Sequence, residues 1–589
     1  LLKIIIHIYV LFLTLSSNGQ YYLRGEVKDE KNQPLQNVRI YSITDHLLYS
    51  SGQSGGFGIP YRKLYDSLSF NIEGYEEKIV RVKTDVWQDI ILKLLPGNTN
   101  RGKPKLISIT KDVKQTSRLH WLTGDETYFQ LVENEIVNTS KYPNTGLALN
   151  INKSSYSNIR RFINTNSTVP PDAVRTEEFL NYFNLHYRQP DENEVFKIES
   201  QLSDCAWNEN HQLLYININA KKLALNMVPP GNFVFLIDNS GSMDMPNRLP
   251  LLKAAFQMLV KNLRPIDSVS IVTYGGSVNV WMQPTNGGNK DKILQAIEEM
   301  EAGGDTPGES AILTAYQLAS NTFIKGGNNR VILATDGDFN VGNFSEKALE
   351  ELISRQKQSG IYLTCLGVGM GNFKDSKLET LAKRGNGNYA YLDDIQEAEK
   401  VLVKELTQTF FAVADDVFMN IEFNPAIVKA YRLIGFDNKK NAVSDSVTNL
   451  EGGEIGSGSS VLALFEIDPG DNKSLITEGK SAIQNLAGIS MRYSLCNDTT
   501  HLIKKYDCPV NYLPNNSIDK EFRFASALAM YALKLKNSKY INETDWEKIE
   551  LLALASFNPG NYLQKEFIQL LAKTKKIYNN QKKKKRRFF

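Results

Sequence analysis

The stretch Asn232–Ser242, NFVFLIDNSGS, decides how the chain folds. Its apolar run from Phe233 to Ile237 stops at Asp238, and Asn239, Ser240, Gly241 and Ser242 follow. A buried strand that ends on a carboxylate, with two hydroxyls at alternate positions of a glycine-containing loop, gathers hard oxygen ligands at its C-terminal end. Open α/β sheets place their sites there. The stretch therefore predicts a loop that holds a divalent cation.

Working outward, Leu252, Ala255, Phe256, Leu259, Val260 and Leu263 recur at the helical period. Strands are expected at Ser268 to Tyr274, Val331 to Ala334, Ile361 to Leu366 and Asn388 to Leu392. Helices are expected at Lys290 to Met300, Ser310 to Phe323, Lys347 to Gln358, Asp375 to Lys383 and Ile395 to Phe410. Short apolar runs separated by amphipathic helices imply a parallel sheet covered on both faces. The fold class is a doubly wound α/β (Rossmann-like) domain over residues 229–410, within a multidomain chain.

Two more oxygen candidates fall at element ends on the same rim. Thr306 lies in Gly303-Gly304-Asp305-Thr306-Pro307-Gly308, just ahead of a helix, and Asp336 directly follows a strand in Thr335-Asp336-Gly337. Taken singly, the first reads as a helix cap and the second as a turn. As a set with Asp238, Ser240 and Ser242 they offer only oxygens, which suits Mg²⁺; Mn²⁺ also fits, and Ca²⁺ less well. Two carboxylates just offset the charge of the ion, which leaves an open position for an anionic oxygen from outside.

These five residues in three ordered loops resemble, in full, the metal-ion-dependent adhesion site of the von Willebrand factor type A (VWA) fold. The resemblance implies that Ser240, Ser242 and sometimes Thr306 bind the ion directly, while Asp238 and Asp336 act mostly through water. It also implies that the sixth ligand is a Glu or Asp of a protein partner.

Other motifs fail on spacing. Asp336, Asp338 and Asn340 begin like a calcium-binding EF-hand loop, but Val341 and Lys347 stand where glycine and glutamate are required. Gly367, Gly369 and Gly371 follow a strand like a dinucleotide fingerprint, with the third glycine one place early. The six histidines are scattered. The formal charge of +3 rests on the run Lys582 to Arg587, so the body is slightly acidic, which argues against a nucleic-acid binder.

At the N-terminus a Lys precedes the apolar stretch Ile4 to Leu15, short for a membrane span and suited to a signal peptide over residues 1–19. Residues 20–96 alternate like a β-sandwich. Gly25, Val27, Pro34-Leu35, Val38, the Gly-Gly-Phe at 55 to 57 and Gly74-Tyr75 resemble the carboxypeptidase-regulatory-like module. Residues 97–128 read as a linker. In 129–228 the segment SYSNIRRFINTNSTVPPDAVRTEEFLNYF resembles the collar ahead of the VWA domain in YfbK-like proteins, and AYRLIGFDN and GEIGSGSSVLALFEI resemble the same family's C-terminal domain over 411–577. That domain is expected as a β-sandwich returning toward the collar with a helical cap. The basic tail 578–589 reads as a solvated terminus, or alternatively as peripheral contact with an anionic membrane surface.

Four cysteines are too few for a disulfide scaffold, though Cys496 and Cys508 flank a hairpin-like segment where a bridge is conceivable. The leading expectation is an exported, Mg²⁺-dependent protein-binding protein of the periplasm, outer membrane surface or exterior, and not an enzyme. The rivals are a metal-dependent hydrolase of the cell envelope, with Asp305 or Asp244 as general base, and a structural envelope component.

Overall fold

The computed structural model describes residues 21–93, 107–108 and 128–587, apart from short internal stretches that include 305–307, 338–345, 370–374, 441–451 and 478–484. The expected signal peptide and most of the linker lie outside the described residues. Among the described residues no helix is long and apolar enough to cross a membrane. The chain divides into two compact units, 1–103 with 113–119 and 104–112 with 120–589.

In the first unit, β1 (Tyr21–Asp29), β2 (Arg39–Ser42), β3 (Leu48–Ser50), β4 (Gly56–Tyr61), β5 (Tyr65–Asn71), β6 (Lys78–Lys83) and β7 (Gln88–Leu92) form two sheets, ordered β4-β1-β7 and β3-β2-β5-β6. Alternate residues of both, among them Leu23, Val27, Ile40, Phe57, Leu68 and Phe70, close one core. A Cβ on Gly25 would lie 2.3 Å from the Gln88 carbonyl oxygen, so β1 and β7 pair closely there because residue 25 has no side chain.

The second unit opens with β8 (Ile107–Ser108), β9 (Val137–Asn138), β10 (Asn144–Ala148), α1 (Ser154–Asn164), α2 (Thr176–Asn181), β11 (Phe196–Asp204) and β12 (Gln212–Ala220). The α/β domain follows: β13 (Gly231–Asp238), α3 (Leu249–Val260), β14 (Ser268–Gly275), β15 (Ser277–Asn286), α4 (Lys290–Glu298), α5 (Gly308–Asn321), β16 (Asn328–Thr335) and α6 (Glu346–Gln358). It ends with β17 (Ile361–Gly367), α7 (Asp375–Arg384), β18 (Tyr389–Tyr391), α8 (Ile395–Glu399) and α9 (Leu406–Phe410). Its strand order is β15-β14-β13-β16-β17-β18. Successive residues of β13 feed opposite faces: Phe233, Phe235 and Ile237 pack with Phe256 and Leu259, whereas Val234 and Leu236 pack with Ala311 and Ala315.

The sheet departs from the all-parallel expectation. β15 runs antiparallel to β14 at the edge, and its exposed, weakly alternating residues carry no clear apolar signal. The single helix expected from Ile395 to Phe410 is broken by a π-helical turn at Lys400–Lys404. There the buried Lys400 ammonium sits 3.1 Å from Glu405 and 4.0 Å from the centre of the Tyr182 ring.

Beyond it come β19 (Ala412–Phe423), β20 (Ala430–Ile434), β21 (Lys439–Lys440), β22 (Gly453–Gly456), β23 (Ser460–Asp468), α10 (Lys473–Thr477), β24 (Asn485–Leu495) and β25 (His501–Pro509). The helices α11 (Lys520–Leu535), α12 (Trp546–Ser556) and α13 (Tyr562–Arg587) close the unit. Segments 129–228 and 411–577, contiguous blocks in sequence, interleave in space. β10 pairs with β19 in the sheet β10-β19-β24-β25, and β12 pairs with β23 in the sheet β11-β12-β23-β20-β9. The α/β domain is therefore an insertion between β12 and β19. A helical layer made of α1, α2, α11, α12 and α13 shares a second core with Tyr215, Leu462 and Leu464 of the latter sheet.

One further expectation is corrected. All four cysteines are free. The hairpin pairs Cys508 with Ala487, at the far end of β24 from Cys496, so the two thiols lie on the order of 30 Å apart at strand rise. The basic tail is helical, since α13 runs through Lys582 as far as Arg587.

One buried carboxylate gives the sandwich a predictable acid limb. Burial pushes Glu466 up, but His211 Nδ1 at 2.6 Å and the Arg432 guanidinium at 2.6 Å outweigh it and hold the carboxyl at about 2, against its ordinary 4.5. A depressed carboxyl stabilises the fold fully above its unfolded value and stops doing so as pH falls through the folded one. Between pH 4.5 and about 2 the unit is expected to lose on the order of 3 kcal/mol from this group. Urea melts of Glu466→Gln should lack that part of the pH dependence.

Candidate metal centre

The residue pairing of β13 with β16 sets Ile237 beside Ala334, so Asp238 and the Thr335–Asp336 step leave the sheet at the same edge. The chain runs from β13 out to β14 and β15 on one side and then returns to β16 on the other, so the strand order reverses between β13 and β16, where open α/β sheets place their sites.

Asp238 has 0% exposure. Its Oδ1 accepts the Ser240 backbone N–H at 2.9 Å, and its Oδ2 accepts the Thr335 hydroxyl at 2.9 Å. Ser240 Oγ lies 3.2 Å from Ser242 Oγ, which donates to Asp336 Oδ2 at 2.8 Å. Four of the five residues expected from sequence thus form one hydrogen-bonded oxygen cluster. Thr306 lies outside the described residues, but the loop that leads to it is tied to the first. Gly303 N–H donates to Asn239 O at 2.7 Å, and Gly241 N–H donates to Gly304 O at 3.0 Å. A Cβ on Gly275 would sit 2.6 Å from Asn239 and 2.7 Å from Gly303 O, so the first two loops meet the end of β14 where that glycine allows it.

The donor set fits a hard cation. Burial pushes the Asp238 carboxyl up to about 6, against the Ser240 hydrogen bonds and with the Asp336 charge adding to the push. Such a carboxylate is short of positive charge, and the oxygens around it are those a Mg²⁺-sized ion takes. Asp238, Ser240, Ser242 and Asp336 would hold the ion, and a bound cation supplies an open coordination position for an anionic oxygen.

Sequence reasoning overlooked three residues here. Thr335 reads as the end of a strand, and only the strand pairing brings its hydroxyl to Asp238. Arg248 precedes α3, and its Nη1 lies 2.6 Å from Asp336 Oδ2 and donates to Ser242 O at 2.6 Å. Gly369, at φ +81°, leaves the space this arginine fills. Asp336 therefore already faces a fixed positive charge, which a balance of two carboxylates against one ion leaves out. Of the proposed general bases, Asp244 is exposed in the turn Gly241–Asp244, and Asp305 lies outside the described residues.

The von Willebrand factor type A domain model matches residues 232–405, a model described as uncharacterized protein YfbK, C-terminal, matches 408–577, and one described as von Willebrand factor matches 122–215. Uncharacterized protein YfbK of Escherichia coli (strain K12) is 36% identical over 468 residues, 76% of this chain and 81% of its own. Inter-alpha-trypsin inhibitor heavy chain H2 of Sus scrofa is 25% identical over 203 residues, 33% of this chain and 21% of its own. Among solved structures, a von Willebrand factor type A protein from Catenulispora acidiphila aligns over 66% of this chain and 91% of its own, with 14% identity and a TM-score of 0.38. The chain belongs to the bacterial YfbK-like family of VWA-domain proteins.

Proposed function

We propose that this chain is an exported binding protein that holds Mg²⁺ at Asp238, Ser240, Ser242, Thr306 and Asp336 and through it captures an acidic side chain of a protein partner. The observation that carries the reading is the cluster itself: a fully buried carboxylate raised by burial, two hydroxyls 3.2 Å apart and a second carboxylate, all at one sheet edge. Export is supported by the apolar stretch Ile4 to Leu15 behind a lysine.

The residues of the chain divide the work. Thr335 and the Ser240 N–H fix the orientation of Asp238, and Ser242 joins Asp336 to the first loop. Ser242 is exposed whereas Asp238 and Ser240 are buried, so the site faces solvent on its hydroxyl side. A partner's carboxylate approaches from there.

Asp238→Asn is expected to weaken Mn²⁺ or Mg²⁺ binding about 10- to 100-fold, the cost of losing a carboxylate that holds the ion through water. The variant should keep its fold in EDTA, since it removes a buried charge. Calorimetric titration checks the first point and thermal melting the second. Capture of proteins from envelope extract should then depend on Mg²⁺ and be lost in EDTA and in Asp238→Asn. Capture indifferent to all three treatments would overturn the reading.

A further inference from the structure

We propose that Arg248 acts as a resident cation of the rim, competing with the divalent ion for the charge of Asp336 and so setting how tightly the metal is held. The inference rests on the metal-binding reading above. Its basis is a shared atom. Asp336 Oδ2 accepts the Ser242 hydroxyl at 2.8 Å and also faces Arg248 Nη1 at 2.6 Å. A cation seated on the Ser240 and Ser242 hydroxyls therefore has a guanidinium as its neighbour across one carboxylate oxygen.

The arginine is built into this position. Its side chain is 9% exposed and that of Asp336 2%, so water screens the pair weakly. Nη1 also donates to the Ser242 carbonyl at 2.6 Å, which ties the charge to the same loop that carries the hydroxyls. On the far side, a Cβ at Gly369 would lie 2.6 Å from Arg248 Nε and 3.1 Å from its Cγ, so the stem runs through a slot that only glycine leaves open. The backbone is pinned as well: Arg248 N–H donates to Met245 O at 2.9 Å, and its carbonyl accepts the Leu252 N–H at 2.9 Å. A guanidinium keeps its charge at any pH a protein survives.

Two consequences follow, of opposite sign. Without metal, Arg248 offsets one of two neighbouring carboxylates and holds the Ser242 loop against Asp336, which keeps the rim assembled. With metal, two cationic groups share the charge of Asp238 and Asp336, so the ion is held less tightly than those carboxylates alone would hold it. The loaded rim then carries an excess positive charge, which favours an anionic oxygen at the open position.

Mn²⁺ titration of the full chain, with thermal melting in EDTA alongside, tests this with Arg248→Met, Arg248→Lys and Gly369→Ala. Arg248→Met should bind Mn²⁺ more tightly, on the order of tenfold, and melt lower in EDTA. Arg248→Lys keeps the charge and should bind nearly as the native chain does. Gly369→Ala, which crowds the guanidinium out of its slot, should tighten binding and serves if Arg248→Met does not fold. Unchanged or weaker binding in the variants, with Mn²⁺ still bound by the native chain, would overturn the role of Arg248. If native chain and variants alike bind no Mn²⁺, the metal-binding reading fails, and this inference with it.

Discussion

Replacing Arg160 by alanine is expected to destabilise the second unit by about 3–5 kcal/mol, because it strands several carboxylates in the interior. Arg160 stands on α1 with its side chain 3% exposed. Its Nε donates to Asp393 Oδ2 at 2.8 Å, Nη2 to Glu397 Oε2 at 2.8 Å, and Nη1 to Glu566 Oε1 at 3.0 Å. The Tyr182 hydroxyl adds a bond to Glu397 Oε2 at 2.5 Å. Asp393 and Glu397 belong to the inserted α/β domain and Glu566 to α13, so one guanidinium ties the collar, the insertion and the helical layer together. Burial holds the Asp393 carboxyl above the usual carboxylate range even with Arg160 beside it. A raised carboxyl binds more protons in the folded state than in the unfolded one, so stability falls as pH rises through its folded value. The loss in Arg160→Ala should therefore be larger at pH 8 than at pH 5. Urea melts at both values check it, and a pH-independent loss would mean that the stranded charges are not what destabilises the variant.

Phe567→Ala is expected to cost a similar amount, about 3–5 kcal/mol, through the cavity it leaves. Phe567 is fully buried on α13, with ring centroids 5.2 Å from Tyr531, 5.6 Å from Phe524 and 6.0 Å from both Phe179 and Phe183. Those partners come from α2, the residues after it, and α11, so the ring joins helices from the two ends of the second unit. Phe567→Leu, which keeps most of the volume, should lose well under half as much. Equal losses for the two variants would show that the edge-on aromatic contacts, and not volume, set the cost.

What could be read from sequence depended on how local the cause was. β13 was legible because five apolar residues in a row end at an aspartate, and burial on both sheet faces leaves no other use for such a run. Ser240, Ser242 and Asp336 were legible because each sits within a few residues of a strand end. β15 was not, since an edge strand with water on much of its surface needs no apolar pattern. The bounds of β25 were blurred for a related reason, as it is largely exposed and alternates only weakly, so only a hairpin-like segment showed there. The pairing of β12 with β23 was hidden because strand register between distant segments is written in neither segment alone. Arg248 looked like an ordinary residue ahead of a helix. Its meaning comes from Gly369 and Asp336, both far along the chain.

The insertion of the α/β domain between β12 and β19 also sets an order of events during synthesis. The chain leaves the ribosome N-terminal end first, so β10 and β12 are made well before β19 and β23, their eventual partners. In the interval the whole of 229–410 is produced, and its contacts are mostly internal, so it can fold while the collar strands still lack their mates. Arg264 is placed to hold the near end of that domain, donating to Leu225 O, Val228 O and Pro229 O, while Asn328 Nδ2 donates to Phe410 O at the other end. Both exits are thereby fixed to the folded domain, which delivers β19 to the waiting β10 and turns a long loop closure into a short one.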